Sequence, residues 1–277
     1  MRLISRFNTI LVTAVIITCG CLCNWCVCDP GYRFLGSCYM CAAAKGDTGD
    51  NIVSVDDQLE MLDCLKEALI KHKQSISVYY PGIDRDFADY RRRNYIDLFD
   101  LLNEYCGYYY GVLSGVCITI NNKEYVEFQF NYLTTKKQER YINANVRKLA
   151  KEYKGKSRYC KIKGIHDYLV CSIRYDRNYY NPYYAFKKGR GICMSYALAF
   201  QRIMQEMKIP CMYVKGKDHA WNMVKLKGKW YFVDVTWDDS FGGYKYFLKG
   251  TSDFSGHNIP KTLSIKRLKK ARYAYGS

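Results

Sequence analysis

The amino-acid sequence predicts an α+β protein in which amphipathic helices and antiparallel strands follow one another along the chain. Three observations support this class. Apolar residues recur at helical spacing in several segments, one segment alternates apolar and polar residues as a strand does, and a predicted helix precedes three predicted strands. The chain has 277 residues, 49% of them apolar, which is enough to bury a substantial core. The composition excludes a wholly disordered chain, a collagenous fibre and a polytopic membrane protein.

The first half of the predicted fold contains two helices, a strand and a hairpin. Four leucines at helical spacing predict a helix over 57–73, and Ser54 precedes it at capping-box spacing. In the second hairpin strand, Val126, Phe128 and Phe130 alternate with polar residues, so we expect one face of that strand to be buried. The remaining predicted elements of this half are a strand over 75–80, a helix over 95–105 and hairpin strands over 116–120 and 125–132.

The second half is predicted to contain three helices followed by three strands. Thr134 or Thr135 can cap the first of these helices, whose apolar stripe includes Ile142 and Val146. A second helix includes Ile165, and the third begins near Cys193. The predicted strands are 211–214, 219–226 and 230–237.

The N-terminus has the residue order of a secretory signal over 1–28. Arg2 and Arg6 precede the apolar run 10–17, and small residues follow it. That run is shorter than the roughly 20 residues that a membrane span needs. We therefore expect a secreted or envelope-associated protein with a cleaved signal; an uncleaved anchor and a lipoprotein remain open.

The fourteen cysteines fall into two groups of seven. One group lies between Cys19 and Cys41, where Cys38 and Cys41 could form a local disulfide or half of a zinc site. A structural zinc site needs a second Cys/His pair at similar spacing, and none follows, so we interpret this region as a linker. The other seven are scattered singly, which is typical of buried, inert thiols.

The chain is strongly basic, with 43 lysines and arginines against 26 acidic residues and a formal charge of +17. From 136 to 163 there are eleven basic residues and two acidic ones, as on a solvated helix face or an anion-binding surface. This balance favours anionic neighbours, which are nucleic acid, a membrane surface or acidic wall polymers, and does not choose among them. We expect no nucleic-acid partner, because no recognised nucleic-acid-binding module accompanies the charge.

Cys193 differs from the other cysteines because it is predicted to begin a helix directly after a glycine-bounded loop. Backbone N–H groups and the positive end of the helix dipole stabilise a thiolate there, and Arg190 adds positive charge nearby. A nucleophilic thiol also needs a base within hydrogen-bond reach and a group that orients the base. His219 and Asp234, on two predicted strands joined by a short turn, can supply both.

The register of that hairpin decides whether the two side chains share a face. If Lys227 and Gly228 form a two-residue turn, His219 lies opposite Thr236, and Asp234 is two residues away on the same face. Diagonal neighbours of this kind lie about 7–8 Å apart. A slip of one residue would place Asp234 on the other face. If the turn consists instead of Gly228 and Lys229, Asp234 stays on the same face as His219 but lies four residues from the position opposite His219.

These residues carry a resemblance to the transglutaminase-like superfamily. Residues 191–197 (GICMSYA) resemble its nucleophile segment, 219–222 (HAWN) its histidine strand and 230–238 (WYFVDVTWD) its aspartate strand. Flanking segments such as 165–169 (IHDYL) and 246–248 (YFL) are similar to those of secreted bacterial members. The resemblance covers roughly 158–257.

The resemblance implies a papain-like/transglutaminase-like core, with a nucleophile helix packed on an antiparallel sheet, preceded by a smaller α/β N-terminal region. It implies amide chemistry through a thioester, in which Cys193 attacks a carbonyl, His219 moves the proton and Asp234 orients the imidazole. Backbone and side-chain donors would form the oxyanion hole and pocket. The candidates are the Cys193 N–H, Tyr175, Tyr184 and, as pocket wall, Trp221. No acidic loop like the calcium loop of animal transglutaminases is present, so we expect no metal and no cofactor.

The predicted domains are a signal or anchor over 1–28, a Cys- and Gly-containing linker over 29–57, an N-terminal α/β region over 58–157, a catalytic domain over 158–257 and a basic tail over 258–277. We expect a cysteine peptidase or amidase acting on proteins or peptides, with cell-wall peptides as one candidate. Hydrolysis is preferred to cross-linking because no acceptor site is identified. The alternatives are a catalytically silent binding module and a basic protein that adheres to anionic envelope polymer. His166 and His257 are expected to be structural hydrogen-bonding residues.

Overall fold

The computed structural model describes residues 52–92, 95–121 and 125–276. The predicted signal over 1–28 and the cysteine-containing segment up to Cys41 lie outside these ranges, and what was expected of them remains a prediction. Within the described ranges, no helix combines the length and apolar character needed to cross a bilayer.

The N-terminal region is a four-stranded sheet covered by helices. The sheet has the order β1-β2-β4-β3, in which β1 runs parallel to β2 and the other neighbours are antiparallel. Its elements are β1 (Val53–Ser54), α1 (Gln58–Ile70), β2 (Ser75–Tyr79), α2 (Ile83–Arg92), α3 (Ile96–Cys106), α4 (Tyr108–Gly111), β3 (Leu113–Asn121) and β4 (Tyr125–Tyr132).

The core of this region forms where the sequence pattern predicts it. Val126, Phe128 and Phe130 alternate along β4 and are all buried, in one cluster with the apolar face of α1. The expected cap of α1 was wrong: Ser54 belongs to β1, while the Asp57 carboxylate accepts the amides of the first helical turn. A carboxylate at the N-cap satisfies amides that have no partner inside the helix.

The second region continues with helices and then a three-stranded antiparallel sheet of order β7-β8-β9. Thr135 caps its first helix through a capping box with Gln138, as the sequence suggests. The elements are α5 (Lys136–Glu152), α6 (Arg158–Ser172), β5 (Arg174–Tyr175), α7 (Pro182–Lys188), β6 (Arg190–Gly191), α8 (Cys193–Glu206), β7 (Cys211–Lys215), β8 (Ala220–Leu226), β9 (Lys229–Val233), α9 (Val235–Phe241) and α10 (Leu263–Arg267).

Helix α8 lies at the centre of this region and packs on the antiparallel sheet. Residues of α8 such as Phe200 and Met204 are fully buried in a cluster that includes Val224 of β8 and Ile165 of α6. The predicted α+β class, with a central helix on an antiparallel sheet and a smaller α/β region before it, is therefore confirmed.

Three local expectations were wrong. The third strand ends at Val233 instead of Trp237, because Asp234 caps α9 and the chain turns into that helix. Cys160 and Cys171 are exposed, not buried. Arg190 donates to Asp176 at 3.2 Å, so its charge is balanced by that carboxylate.

The basic residues after 257 are part of the packed structure. Trp230 of β9 exchanges backbone hydrogen bonds with this segment, donating to Lys269 and accepting from Ala271, each at 2.9 Å. Ile265 and Ala271 are buried. The division of the chain into a catalytic domain that ends at 257 and a basic tail over 258–277 stays a prediction. The segment over 258–277 is nevertheless hydrogen-bonded to β9 of the sheet.

Candidate active site

Cys193 is the first residue of α8 and is half-buried. The residue before it, Ile192, provides no side-chain cap for the helix. Its carbonyl accepts the amides of Ser195 and Tyr196, whereas in the described part of the chain the amides of Cys193 and Met194 have no acceptor. The helix therefore presents uncapped N–H donors beside the thiol, where they can stabilise negative charge.

The loop that precedes α8 is fixed by hydrogen bonds to Tyr179. The Tyr179 carbonyl accepts the Ile192 amide at 3.2 Å and the Ser195 hydroxyl at 3.0 Å. Gly191 allows this close approach, since a Cβ there would lie 2.5 Å from the Cβ of Ser195. The glycine before the nucleophile segment is thus a packing requirement of the start of α8.

His219 and Asp234 come together because of the β8–β9 hairpin. Leu226 pairs with Lys229 across Lys227 and Gly228, both at positive φ, so the predicted two-residue turn and its register are confirmed. His219 lies directly before β8 and Asp234 directly after β9. The Nε2 of His219 is 2.6 Å from Oδ2 of Asp234.

The other carboxylate oxygen of Asp234 caps α9. Its Oδ1 accepts the amides of Thr236 at 3.0 Å and Trp237 at 3.1 Å, and the side chain is 1% exposed. Burial opposes ionisation of this carboxyl, but hydrogen bonds from His219 and His257 outweigh it and hold its pKa below the ordinary value. Asp234 is therefore a fixed, ionised acceptor.

His219 connects this carboxylate to the thiol. Its ring also hydrogen-bonds Cys193, and because Nε2 faces Asp234, Nδ1 is the nitrogen left for the sulfur. Burial favours the neutral ring, but the hydrogen bonds with Asp234 and Cys193 outweigh it and raise the pKa of His219 to about 9. The imidazolium form is favoured at neutral pH, as a thiolate–imidazolium pair requires.

Aromatic rings hold the imidazole of His219 in place. The ring of Trp237 stacks on the imidazole with the ring centroids 5.0 Å apart, and the ring of Trp221 stacks on it with the centroids 6.0 Å apart. Trp221 in turn packs over Gly216, where a Cβ would lie 2.8 Å from the indole, and the Gly216 amide donates to the His219 carbonyl at 2.8 Å. The turn before β8 is thereby fixed at the residue that carries the imidazole.

A second histidine, His257, reaches the same carboxylate. Its Nε2 is 2.8 Å from Oδ2 of Asp234, and its Nδ1 is 3.1 Å from the carbonyl oxygen of Ser255. Sequence reasoning expected His257 to be a structural hydrogen-bonding residue but did not identify Asp234 as its partner.

His166 forms a separate buried pair behind the site. Its Nε2 is 3.0 Å from Oδ2 of Asp238, and its Nδ1 is 3.0 Å from Asp167. Because Asp238 also accepts the Tyr246 amide, this pair joins α6 to α9 and to the segment after it. The expectation of a hydrogen-bonding role for His166 fits these contacts.

The three candidate pocket residues occupy different positions. Burial and, to a smaller extent, the electrostatic interaction with Cys193 raise the pKa of the Tyr175 phenol despite the opposing effect of Arg177. Tyr184 instead packs with rings of its own segment, Tyr179 and Tyr183, at 5.0 and 5.3 Å. Trp221 is 2% exposed and lies behind the histidine as a wall. Of the two tyrosines, Tyr175 is the one whose position beside the thiol these interactions support.

Within the described residues, His219, Asp234 and His257 form a group whose ligand atoms all lie within 4.8 Å of one another. The two nitrogen–oxygen distances are 2.6 and 2.8 Å, which are hydrogen-bond distances. Ligands about 2.0–2.1 Å from a tetrahedral zinc would be separated by more than 3 Å. We therefore assign these residues to a hydrogen-bond network, and the absence of a metal remains an expectation.

Part of the chain is similar to known proteins. Residues 147–235 match the family model of the transglutaminase-like superfamily. The chain is also 32% identical over 78 residues to the kyphoscoliosis peptidase of Homo sapiens and 31% identical over 78 residues to that of Mus musculus. Each match covers 22% of this chain and 12% of the relative.

Two solved structures are similar at 16% sequence identity. One is a candidate cysteine protease from Cytophaga hutchinsonii, with a TM-score of 0.31 over 44% of this chain and 61% of the other. The second is described as a TGase, with a TM-score of 0.35 over 69% of this chain and 55% of the other.

Proposed function

We propose that this protein is a cysteine-nucleophile amide-processing enzyme in which Cys193, His219 and Asp234 form a catalytic triad. The observation that carries the proposal is that His219 hydrogen-bonds Asp234 at 2.6 Å on one side and Cys193 on the other, with Cys193 at the start of α8. A thiol, a base and a group that orients the base are the components of nucleophilic acyl transfer.

In the proposed acylation step, the Cys193 thiolate attacks the carbonyl carbon of an amide. The negative charge that develops on the carbonyl oxygen is stabilised by the Cys193 N–H, with the Tyr175 hydroxyl as the candidate side-chain donor. The tetrahedral intermediate collapses when the C–N bond breaks, and the His219 imidazolium gives its proton to the departing amine. The products are an amine and a thioester on Cys193.

In the proposed deacylation step, water attacks the thioester and His219 removes its proton. The C–S bond breaks, a carboxylic acid leaves and the Cys193 thiolate forms again. Hydrolysis, as by a peptidase or amidase, is preferred to transfer onto an amine because we identify no site for an acceptor other than water in the described part of the chain. The proposed substrate is a protein or peptide, with envelope peptides as the candidate that fits the predicted export signal over 1–28.

An activated ester tests the chemistry without knowledge of the natural substrate. The full chain mixed with p-nitrophenyl acetate should release a burst of p-nitrophenolate, and peptide mass spectrometry should locate one acetyl group on Cys193. Cys193→Ser and His219→Ala should abolish the burst and leave the protein folded. Acetylation of the exposed Cys160 or Cys171 at the same rate as Cys193 would contradict the proposal.

The fate of the acetyl group separates the reaction classes. If it is lost to water at a rate unaffected by a millimolar primary amine, hydrolysis is supported; if it moves to the amine, the enzyme cross-links. A wild-type protein that shows no burst but binds anionic polymer in a salt-dependent way would instead support the basic binding-module alternative, which the charge of +17 favours.

A further inference from the structure

His257 is a buried histidine that the proposed triad does not use. Its side chain is 1% exposed, and it follows Asp234 by 23 residues. Its Nε2 is 2.8 Å from the same oxygen of Asp234, Oδ2, that lies 2.6 Å from His219. One carboxylate oxygen thus receives two imidazole N–H donors.

Both ring nitrogens of His257 are engaged. Nδ1 lies 3.1 Å from the Ser255 carbonyl oxygen, and Nε2 faces the Asp234 carboxylate. An ionised carboxylate only accepts hydrogen bonds, so Nε2–H of His257 is the donor in the contact with Asp234. Because its Nδ1 is engaged by Ser255, His257 has no free nitrogen for the thiol, and His219 remains the base.

The ring of His257 lies beside Asp234 and His219. The ring of His219 is 5.6 Å away between centroids, and Asp234 is in direct contact. Among the described residues, the other titratable group that faces the ring is Tyr246, at 5.5 Å. The remaining neighbours are uncharged rings that exclude water: Trp221 of β8, Trp237 of α9 and Phe254 of the loop after α9.

We propose that His257 is a positioning residue of the triad, which holds Oδ2 of Asp234 towards His219 by donating a second hydrogen bond to that oxygen. This inference rests on the function proposed above for Cys193, His219 and Asp234. A carboxylate with two donors on one oxygen and two amides on the other cannot rotate. The hydrogen bond from His257 also stabilises the charge of this carboxylate, which reduces the stabilisation that Asp234 gives to the His219 imidazolium.

Two substitutions test this role. His257→Gln keeps an N–H donor for Asp234, and His257→Phe keeps a ring that stacks on Phe254 but has no donor. Because His257→Phe leaves Oδ2 with His219 as its one histidine donor, the pKa of His219 should rise by about one unit, and acetylation at the pH optimum should slow by roughly tenfold or more for a lost hydrogen bond to a charged group. His257→Gln should stay close to the wild type in both measurements.

The His219 pKa can be measured by NMR titration of imidazole resonances, because the full chain has four histidines that single substitutions assign. The basic limb of the acetylation rate should shift upward in His257→Phe and stay in place in His257→Gln. His166→Gln is the matched control: it removes another buried histidine–carboxylate contact, so it should lower thermal stability without moving the titration of His219.

A His257→Phe variant that loses stability but leaves the His219 titration and the basic limb unchanged would overturn the inference, since His257 would then be only structural. A lower His219 pKa in His257→Phe would overturn it as well. The NMR readout does not depend on catalysis. An inactive wild-type protein whose His219 pKa still responds to His257→Phe would refute the proposed function while supporting the positioning role of His257.

Discussion

Replacement of Asp234 by asparagine should destroy thiol reactivity while preserving the N-terminal cap of α9. The asparagine carbonyl can keep the amides of Thr236 and Trp237, which Oδ1 now accepts at 3.0 and 3.1 Å. Its NH₂ group would then face the Nε2 atoms of His219 and His257, at the position of an oxygen that now lies 2.6 and 2.8 Å from them. Donor would meet donor at both contacts.

Two charge-assisted hydrogen bonds are lost in this variant, each of about 1.5–3 kcal/mol, so the free energy of unfolding should fall by roughly 3 kcal/mol or more. His219 can avoid the clash by moving its proton to Nδ1, the nitrogen that serves Cys193. It then cannot accept the thiol proton, and the acetylation rate should fall by about three to four orders of magnitude.

Asp234→Ala is the matched comparison, because it removes the helix cap as well. Asp234→Ala should lower the free energy of unfolding, measured in urea, by about 1 kcal/mol more than Asp234→Asn does. Its effect on the acetylation rate should be similar. Near-native reactivity of Cys193 in Asp234→Asn would refute the reasoning, since the carboxylate would then not control the tautomer of His219.

Three further outcomes are expected. Gly191→Ala should lower the free energy of unfolding by about 1–3 kcal/mol, measured by thermal unfolding, and slow the alkylation of Cys193, because the added Cβ would lie 2.5 Å from the Cβ of Ser195. An unchanged melting temperature and unchanged reactivity would contradict this packing role of Gly191. The pKa of His219 is raised to about 9, so protonation of His219 should contribute roughly 3 kcal/mol to the free energy of unfolding. This contribution should be complete below about pH 6.5 and should vanish as the pH rises through about 9. The same pH series on His219→Ala should lack that loss of stability. Phe128→Ala, in the N-terminal sheet, should lower the free energy of unfolding measured in urea by about 3–5 kcal/mol and leave the pH profile of Cys193 alkylation unchanged. A shifted profile would mean that the two regions are coupled.

The position of His219 and Asp234 on one face of the hairpin could be predicted from the sequence, because a short turn fixes the register of the two strands. Lys227 and Gly228 adopt positive φ, so every opposing pair along β8 and β9 follows from that turn. Local pattern also located Cys193 at the start of α8 and the buried face of β4.

Other features depend on contacts that no local pattern encodes. The run from Trp230 to Trp237 is rich in strand-forming residues, yet the chain turns into α9 because the Asp234 carboxylate binds the amides of that helix. His257 lies 23 residues beyond Asp234, with α9 and irregular segments between them, so neither strand register nor helical spacing predicts their contact.

The alkylation rate of Cys193 as a function of pH tests the central claim most directly, with Cys160 and Cys171 of the same sample as exposed controls. Peptide mass spectrometry after iodoacetamide treatment of the full chain gives all three rates at once. An activated thiolate predicts fast labelling of Cys193 well below about pH 8.5, whereas the labelling of the controls should rise with pH towards an ordinary thiol pKa of about 8.5. His219→Ala should remove the difference. Labelling of Cys193 that follows the controls at every pH, and does not change in His219→Ala, would contradict the account.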